Sequence, residues 1–203
     1  CIYGVKGAAV VFGTSGIINT VKKIFAQQQP ARIGPNYRIA SKIQMVSGYS
    51  PDNNNATEYV DLALVSFDGG LPQGYEAAQF LNQANTLKSL QAGSPVVLAG
   101  YGITSKEERD SKSKTGPDSS GTLRQVTVAM NQLGPRKIDL VFQGQTNRTA
   151  CSGDSGGPAM VAVNNQVYVI GVASRSDCVT SSIYTWVPRE KVQSLVSSAS
   201  SAL

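Results

Sequence analysis

Ser155 is the residue in this chain best placed to do chemistry, because its neighbours read Cys151-Ser152-Gly153-Asp154-Ser155-Gly156-Gly157-Pro158. Glycines on both sides of a serine let the backbone turn tightly and leave the hydroxyl exposed. The same turn can aim the amides of Gly153 and Ser155 at one point. Such a pair stabilises the oxyanion formed when a carbonyl is attacked, typically by roughly 3–4 kcal/mol per donor. The plain alternative is a glycine-rich turn without chemistry. A serine hydroxyl attacks only when a base takes its proton, and that base is usually histidine. The 203 residues contain no histidine.

The elements that must hold this loop are strands. Short β-prone runs recur between Gly, Pro, Asn and Ser: Ala8–Phe12, Arg38–Val46, Leu62–Phe67, Val96–Gly100, Leu123–Met130, Ile138–Gln143, Ala159–Val163, Gln166–Ala173 and Ile183–Val187. Leu123–Met130 alternates as a half-buried strand does, and Asn164-Asn165 predicts a tight hairpin turn. The one good helix signal is terminal: Pro188 at a first-turn position, then Val192, Leu195 and Val196 at helical spacing. Ser50–Ala56 and Ser105–Gly121 read as polar loops. Gly69–Ser94 reads as a linker, with a short helical turn expected over Tyr75–Leu81.

The chain is 41% hydrophobic and 15% charged, an ordinary globular composition. No apolar run approaches the roughly 18 residues that span a membrane, and no signal peptide is visible. The net charge is +5, but the basic residues are scattered apart from Lys22-Lys23 and a mixed-charge stretch from Lys106 to Lys114. Neither a membrane nor a nucleic-acid partner is expected. Three cysteines without histidine make a zinc site improbable, so no metal and no cofactor is expected. Two of the three can pair with each other.

Five motifs, in order, resemble those of the chymotrypsin-like (trypsin-fold) serine proteases, and the resemblance covers almost the whole chain. Cys151–Pro158 matches the family's C-x-G-D-S-G-G-P, which aligns Ser155 with the nucleophile. Val60-Asp61-Leu62-Ala63-Leu64-Val65 resembles the strand bearing the triad aspartate, and Gly100-Tyr101-Gly102 the opening of the second barrel. Gly171–Ser174 resembles the strand flanking the substrate cleft, and Ser181–Val187 the strand behind the specificity pocket. The roles that follow are what this resemblance implies.

The resemblance implies an all-β fold: two six-stranded antiparallel β-barrels, the first incomplete in this chain, and a C-terminal α-helix. The expected domains are residues 1–85 and 86–203. It implies an endopeptidase acting through an acyl-enzyme on Ser155, with Asp61 orienting a histidine. Gly153 and Ser155 would form the oxyanion hole, and Cys151 and Cys178 a disulfide. Two reduced thiols remain the alternative for a reducing compartment. Thr149 would floor the specificity pocket beside Ala150, with Ser174, Ser176 and Ser182 in its walls. No acid stands there, so a modest, uncharged pocket for small or medium residues is expected. Arg175, where the family often has an aromatic, could favour an acidic group further along the substrate.

In the family a cysteine directly follows the catalytic histidine, and Cys1 onward resembles what comes next. The expectation is therefore that the histidine, and the disulfide partner of Cys1, lie in a segment before Cys1. Sixty positions separate Cys1 from Asp61, so an insertion is expected, within Gly16–Gly34. The partners expected are this segment and a protein or peptide substrate. Relatives are made as zymogens, and in many the residue matching Asp154 pairs with the amino terminus released on activation; the plain reading of Asp154 is local hydrogen bonding. The disulfides imply a secreted or otherwise extracytoplasmic protein. Asn55-Ala56-Thr57 and Asn147-Arg148-Thr149 fit the glycosylation pattern, and the second, beside the pocket, is not expected to be used. The rival reading is a histidine-less pseudoprotease, a binding module that keeps the cleft without the chemistry.

Overall fold

The structure is a computed structural model, which describes residues 7–15, 17–27, 31–46, 60–111, 119–133, 139–144 and 148–200. Cys1, the Ser50–Ala56 loop with Asn55-Ala56-Thr57, and Asn147 lie outside these residues. The chain divides into two compact units, Cys1–Ala77 and Ala78–Leu203.

In the first unit the elements run β1 (Ala9–Val11), α1 (Ile17–Ala26), β2 (Ile33–Gly34), β3 (Tyr37–Met45) and β4 (Ala63–Phe67). β3 is the centre: β1, β2 and β4 all pair with it antiparallel, with Ala9 opposite Ile39 and Met45 opposite Ala63. Phe12 meets Phe67 and Tyr75 edge-on, at 6.3 and 5.0 Å between ring centroids. The buried Arg38 lies 5.7 Å above the Phe12 ring. Its guanidinium donates to the Tyr37 carbonyl at 2.8 Å and to the Gly70 carbonyl at 3.0 Å, so the charge is held by backbone dipoles.

Helix α1 occupies the region where the sequence suggested only an insertion. Ile17, Val21 and Ile24 recur at helical spacing, Ile24 is buried, and Lys22 and Lys23 fall on the exposed side. The β-branched residues that weaken the helical signal become an asset once they have a core to pack against.

The second unit runs β5 (Gln79–Phe80), α2 (Gln83–Ser89), β6 (Pro95–Gly100), α3 (Lys106–Asp110), β7 (Arg124–Ala129), β8 (Gln132–Leu133), β9 (Asp139–Gln143), β10 (Pro158–Val163), β11 (Gln166–Ser176), β12 (Ser181–Trp186) and α4 (Arg189–Ser200). Its sheet has the order β7-β6-β10-β11-β12-β9-β8, with β5 added parallel to β11. Every other pairing is antiparallel. Val96, Leu98, Val128, Val161, Ile170 and Tyr184 fill the core, and Phe142 meets Tyr184 edge-on at 5.6 Å.

The strands, the tight hairpin and the C-terminal helix agree with the sequence. Asn164 and Asn165 both take positive φ, 51° and 62°, joining β10 to β11 as a two-residue turn does. α4 begins immediately after Pro188. Two short helices differ from expectation. The turn expected over Tyr75–Leu81 lies further on, as α2, because the Asn82 side chain caps it by accepting from the Asn85 amide at 2.8 Å. α3 stands inside the presumed loop, capped by the Ser105 hydroxyl, which accepts from Glu108.

Candidate active site

The loop from Cys151 to Pro158 joins the segment after β9 to the start of β10, and backbone hydrogen bonds shape it closely. The Asp154 amide donates to the Cys151 carbonyl at 3.0 Å, and the Gly157 amide to the Asp154 carbonyl at 2.8 Å. Gly156 and Gly157 exchange bonds with Ala173 of β11, at 2.9 and 2.8 Å. Gly153 has φ 98°, a region a side chain rarely enters.

Asp154 is the keystone of the loop. One carboxylate oxygen accepts from the Cys151 amide at 2.8 Å, and the other from the Gly102 amide at 2.7 Å. Gly102 has no room for a side chain, since a Cβ there would stand 2.7 Å from the Asp154 carboxyl carbon and 2.8 Å from its backbone nitrogen. Asp154 thus bonds within its loop, to Cys151, and also outside it, to Gly102. Gly100-Tyr101-Gly102 earns its glycines by abutting this carboxylate. Asp154 also lines a second cavity of about 210 Å³ with Thr149, Gly100, Gly102 and Tyr184. Burial pushes the Tyr184 phenol well above its usual range, and the Asp154 carboxylate adds to the rise, so Tyr184 stays neutral.

Ser155 is exposed. Its hydroxyl, its amide and the amide of Gly153 have no hydrogen-bond partner among the described residues. Two donors flanking an exposed hydroxyl, with both donors left over, is an arrangement able to receive a developing negative charge.

A cavity of about 410 Å³ opens beside Ser155, lined by Ala150, Cys151, Ser152, Ala173, Ser174, Arg175 and Ser176. Among the residues singled out from the sequence, Ala150, Ser174 and Ser176 therefore share a cavity with Ser155. Thr149 does not line it; it faces the Asp154 cavity instead. Ser182 is fully buried and lines neither. Asp61 is half-buried in the first unit, two residues before β4.

Two features of the cavity wall escaped the sequence reading. The register of β11 against β12 shifts between Ala173 and Arg175, so Ser174 is the extra residue of a β-bulge. Such bulges re-aim side chains beside sites. The second is the turn after Ser176. The Asp177 carboxylate accepts from the amides of Val179, Thr180 and Ser181 and from the Thr180 hydroxyl, each at 2.8 Å. Desolvation pushes the carboxyl of this exposed residue up, but the four hydrogen bonds outweigh it and hold it well below the usual carboxylate range. An Asp followed closely by Thr and Ser was a readable turn signal.

The disulfide joins Cys151 to Cys178, with S–S 2.06 Å, as the resemblance implied. Cys178 takes a positive φ of 65° at the head of the Asp177 turn. Arg109 of α3 donates to the Asp177 carbonyl at 3.2 Å and lies 3.5 Å from the Cys178 sulfur, so the helix rests on the disulfide. Among the described residues no helix is long and apolar enough to cross a membrane.

The family model described as Trypsin matches residues 19–192 of the chain. No curated protein matches it.

Proposed function

From the premise that this chain belongs to the trypsin family, with its trypsin-like double β-barrel fold and C-terminal helix, we propose that it is a serine endopeptidase acting through Ser155. One observation carries the reading: the Ser155 hydroxyl is exposed at a cavity while the amides of Gly153 and Ser155, on either side of Asp154, have no partner among the described residues. Attack of the hydroxyl on a peptide carbonyl forms an acyl-enzyme and places negative charge on the carbonyl oxygen. The two amides receive that charge, and water then releases the acyl group.

The proton of Ser155 needs an acceptor, and the 203 residues contain no histidine. In this reading a segment before Cys1 supplies the imidazole and the partner of Cys1, while Asp61 fixes its tautomer and stabilises its protonated form. The protein is secreted or otherwise extracytoplasmic in this reading, which the Cys151–Cys178 disulfide supports.

The test is labelling of the full-length protein by a fluorophosphonate probe, with Ser155→Ala as control. Labelling lost in the control, together with hydrolysis of a peptide library, supports the enzyme. The histidine-free composition favours a second reading, a pseudoprotease that binds peptides in the cleft without cleaving them. Peptide binding without labelling or hydrolysis would establish that reading instead.

A further inference from the structure

We propose that the Cys151–Cys178 disulfide is a modification site, at which a small anionic thiol attaches to Cys151 and releases Cys178 as a thiolate. The adduct on Cys151 then stands at the cavity beside Ser155 and blocks it. Only this last consequence rests on the peptidase reading.

The two sulfurs of this bond stand in unlike surroundings. On one side, Arg109 of α3 brings its Nη1 to 3.5 Å from the Cys178 Sγ. The same nitrogen donates to the Asp177 carbonyl at 3.2 Å, and Nε donates to Asp110 at 2.9 Å, so the guanidinium is fixed beside the sulfur. A cation so placed favours a thiolate over a thiol. The Asp177 carboxylate, next in sequence, already spends its charge on three amides and a hydroxyl. On the other side, the Ser105 carbonyl oxygen lies 3.7 Å from the Cys151 Sγ. A carbonyl oxygen opposes a thiolate and accepts from a thiol. When the bond opens, negative charge therefore settles on Cys178.

Access has the same sense. Cys151 lines the cavity beside Ser155, and Cys178 does not. Among the described lining residues Arg175 is the one charged side chain. A thiol that carries carboxylates, of the glutathione type, is therefore drawn to the cavity that Cys151 lines. The external thiolate attacks the Cys151 Sγ and a new S–S bond forms. The Cys151–Cys178 bond breaks, and its electron pair leaves on the Cys178 Sγ. One disulfide replaces another, with no net oxidation. A thiol of lower pKa leaves faster, and as a thiolate it is a weaker nucleophile for the return attack. Arg109 serves both effects. The Cys151 amide donates to Asp154 at 2.8 Å, so the adduct rides on the loop that presents Ser155.

The experiment incubates the full-length protein with reduced glutathione, quenches early with N-ethylmaleimide and maps the products by peptide mass spectrometry. Glutathione is expected on Cys151 and maleimide on Cys178. The reverse placement, an even split or no adduct overturns the proposal. Arg109→Gln is expected to slow the exchange at least about fivefold, and Arg109→Lys to hold it within about twofold. A faster exchange in Arg109→Gln means that α3 merely shields the bond, and overturns the polarity. If that variant does not fold, the mapping in the parent decides. Arg175→Gln is expected to lower the glutathione rate at least about threefold more than the rate with neutral 2-mercaptoethanol. Equal losses overturn the anionic class. Fluorophosphonate labelling of Ser155 should vanish in the adduct, and undiminished labelling overturns the blocking. Adduct formation on Cys151 in a protein that never labels at Ser155 overturns the peptidase reading and leaves the exchange site standing.

Discussion

The Gly102 amide donates to the Asp154 carboxylate at 2.7 Å across 52 positions of sequence. This bond joins the end of β6 to the loop that presents Ser155. It makes the Gly-Tyr-Gly motif and the Gly-Asp-Ser-Gly motif two halves of one structure. Conformational order at Ser155 therefore depends on a contact that neither motif contains alone.

Gly102→Ala is expected to destabilise the protein by about 1–3 kcal/mol, because the added methyl meets the backbone as well as the carboxylate of Asp154. Urea unfolding measures the loss, and fluorophosphonate labelling of Ser155 should fall with it. Unchanged stability would mean that the loop yields freely at this point.

Asp154→Asn keeps the shape and replaces one acceptor oxygen by a donor. Either the Cys151 or the Gly102 amide then faces an amide nitrogen and loses its partner. Leaving one such group unsatisfied costs about 1–3 kcal/mol, again read by urea unfolding.

Removal of the disulfide by Cys151→Ala/Cys178→Ala is expected to cost about 3–4 kcal/mol, from the entropy of a loop with a sequence separation of 27. Thermal unfolding of the parent with and without reductant should reproduce the difference. Equal midpoints would show that the Asp177 turn holds the wall unaided.

Asp177 gives the cavity wall an acid-sensitive point. Its carboxyl titrates lower folded than unfolded, where a model aspartate has a pKa of about 3.9. Its stabilising contribution is therefore complete above that unfolded value and is lost as pH falls through the lower folded one. Asp177→Asn is expected to flatten the pH dependence of stability below about pH 4, relative to the parent, in urea titrations. An identical slope in both proteins would rule out this origin.

At the β10–β11 hairpin, Asn165→Val is expected to cost about 1–2 kcal/mol, since a β-branched residue resists the φ of 62° found there. Asn165→Gly should stay within about 0.5 kcal/mol of the parent, because Asn-Gly suits a two-residue turn. Thermal unfolding distinguishes the pair.

Much of this fold was legible locally. The alternation of Leu123–Met130, the paired asparagines and Pro188 ahead of an apolar stripe each express short-range sterics, and β7, the hairpin and α4 formed where they pointed. The octet likewise announced a tight loop, and Gly153 takes the positive φ such a loop needs. The helix α1 was missed because Ile and Val favour strands until a core rewards them. The helix α2 was misplaced because the Asn82 cap went unread.

What the sequence by itself determined is thus the positions of the strands along the chain, the turn and the exposed serine, all set by conformations that a few neighbouring residues decide among themselves. Only the tertiary structure decided which partners close the site. Ser176 and Ser182 meet Ala150 across 26 and 32 positions, and Asp154 meets Gly102 across 52. Those meetings depend on strand register and on the bulge at Ser174, and register is a property of paired strands that no single segment carries. Hence Thr149, placed at the pocket floor by alignment alone, faces the other cavity, while the hydroxyls of Ser176 and Ser182 bind the backbone of Ala150.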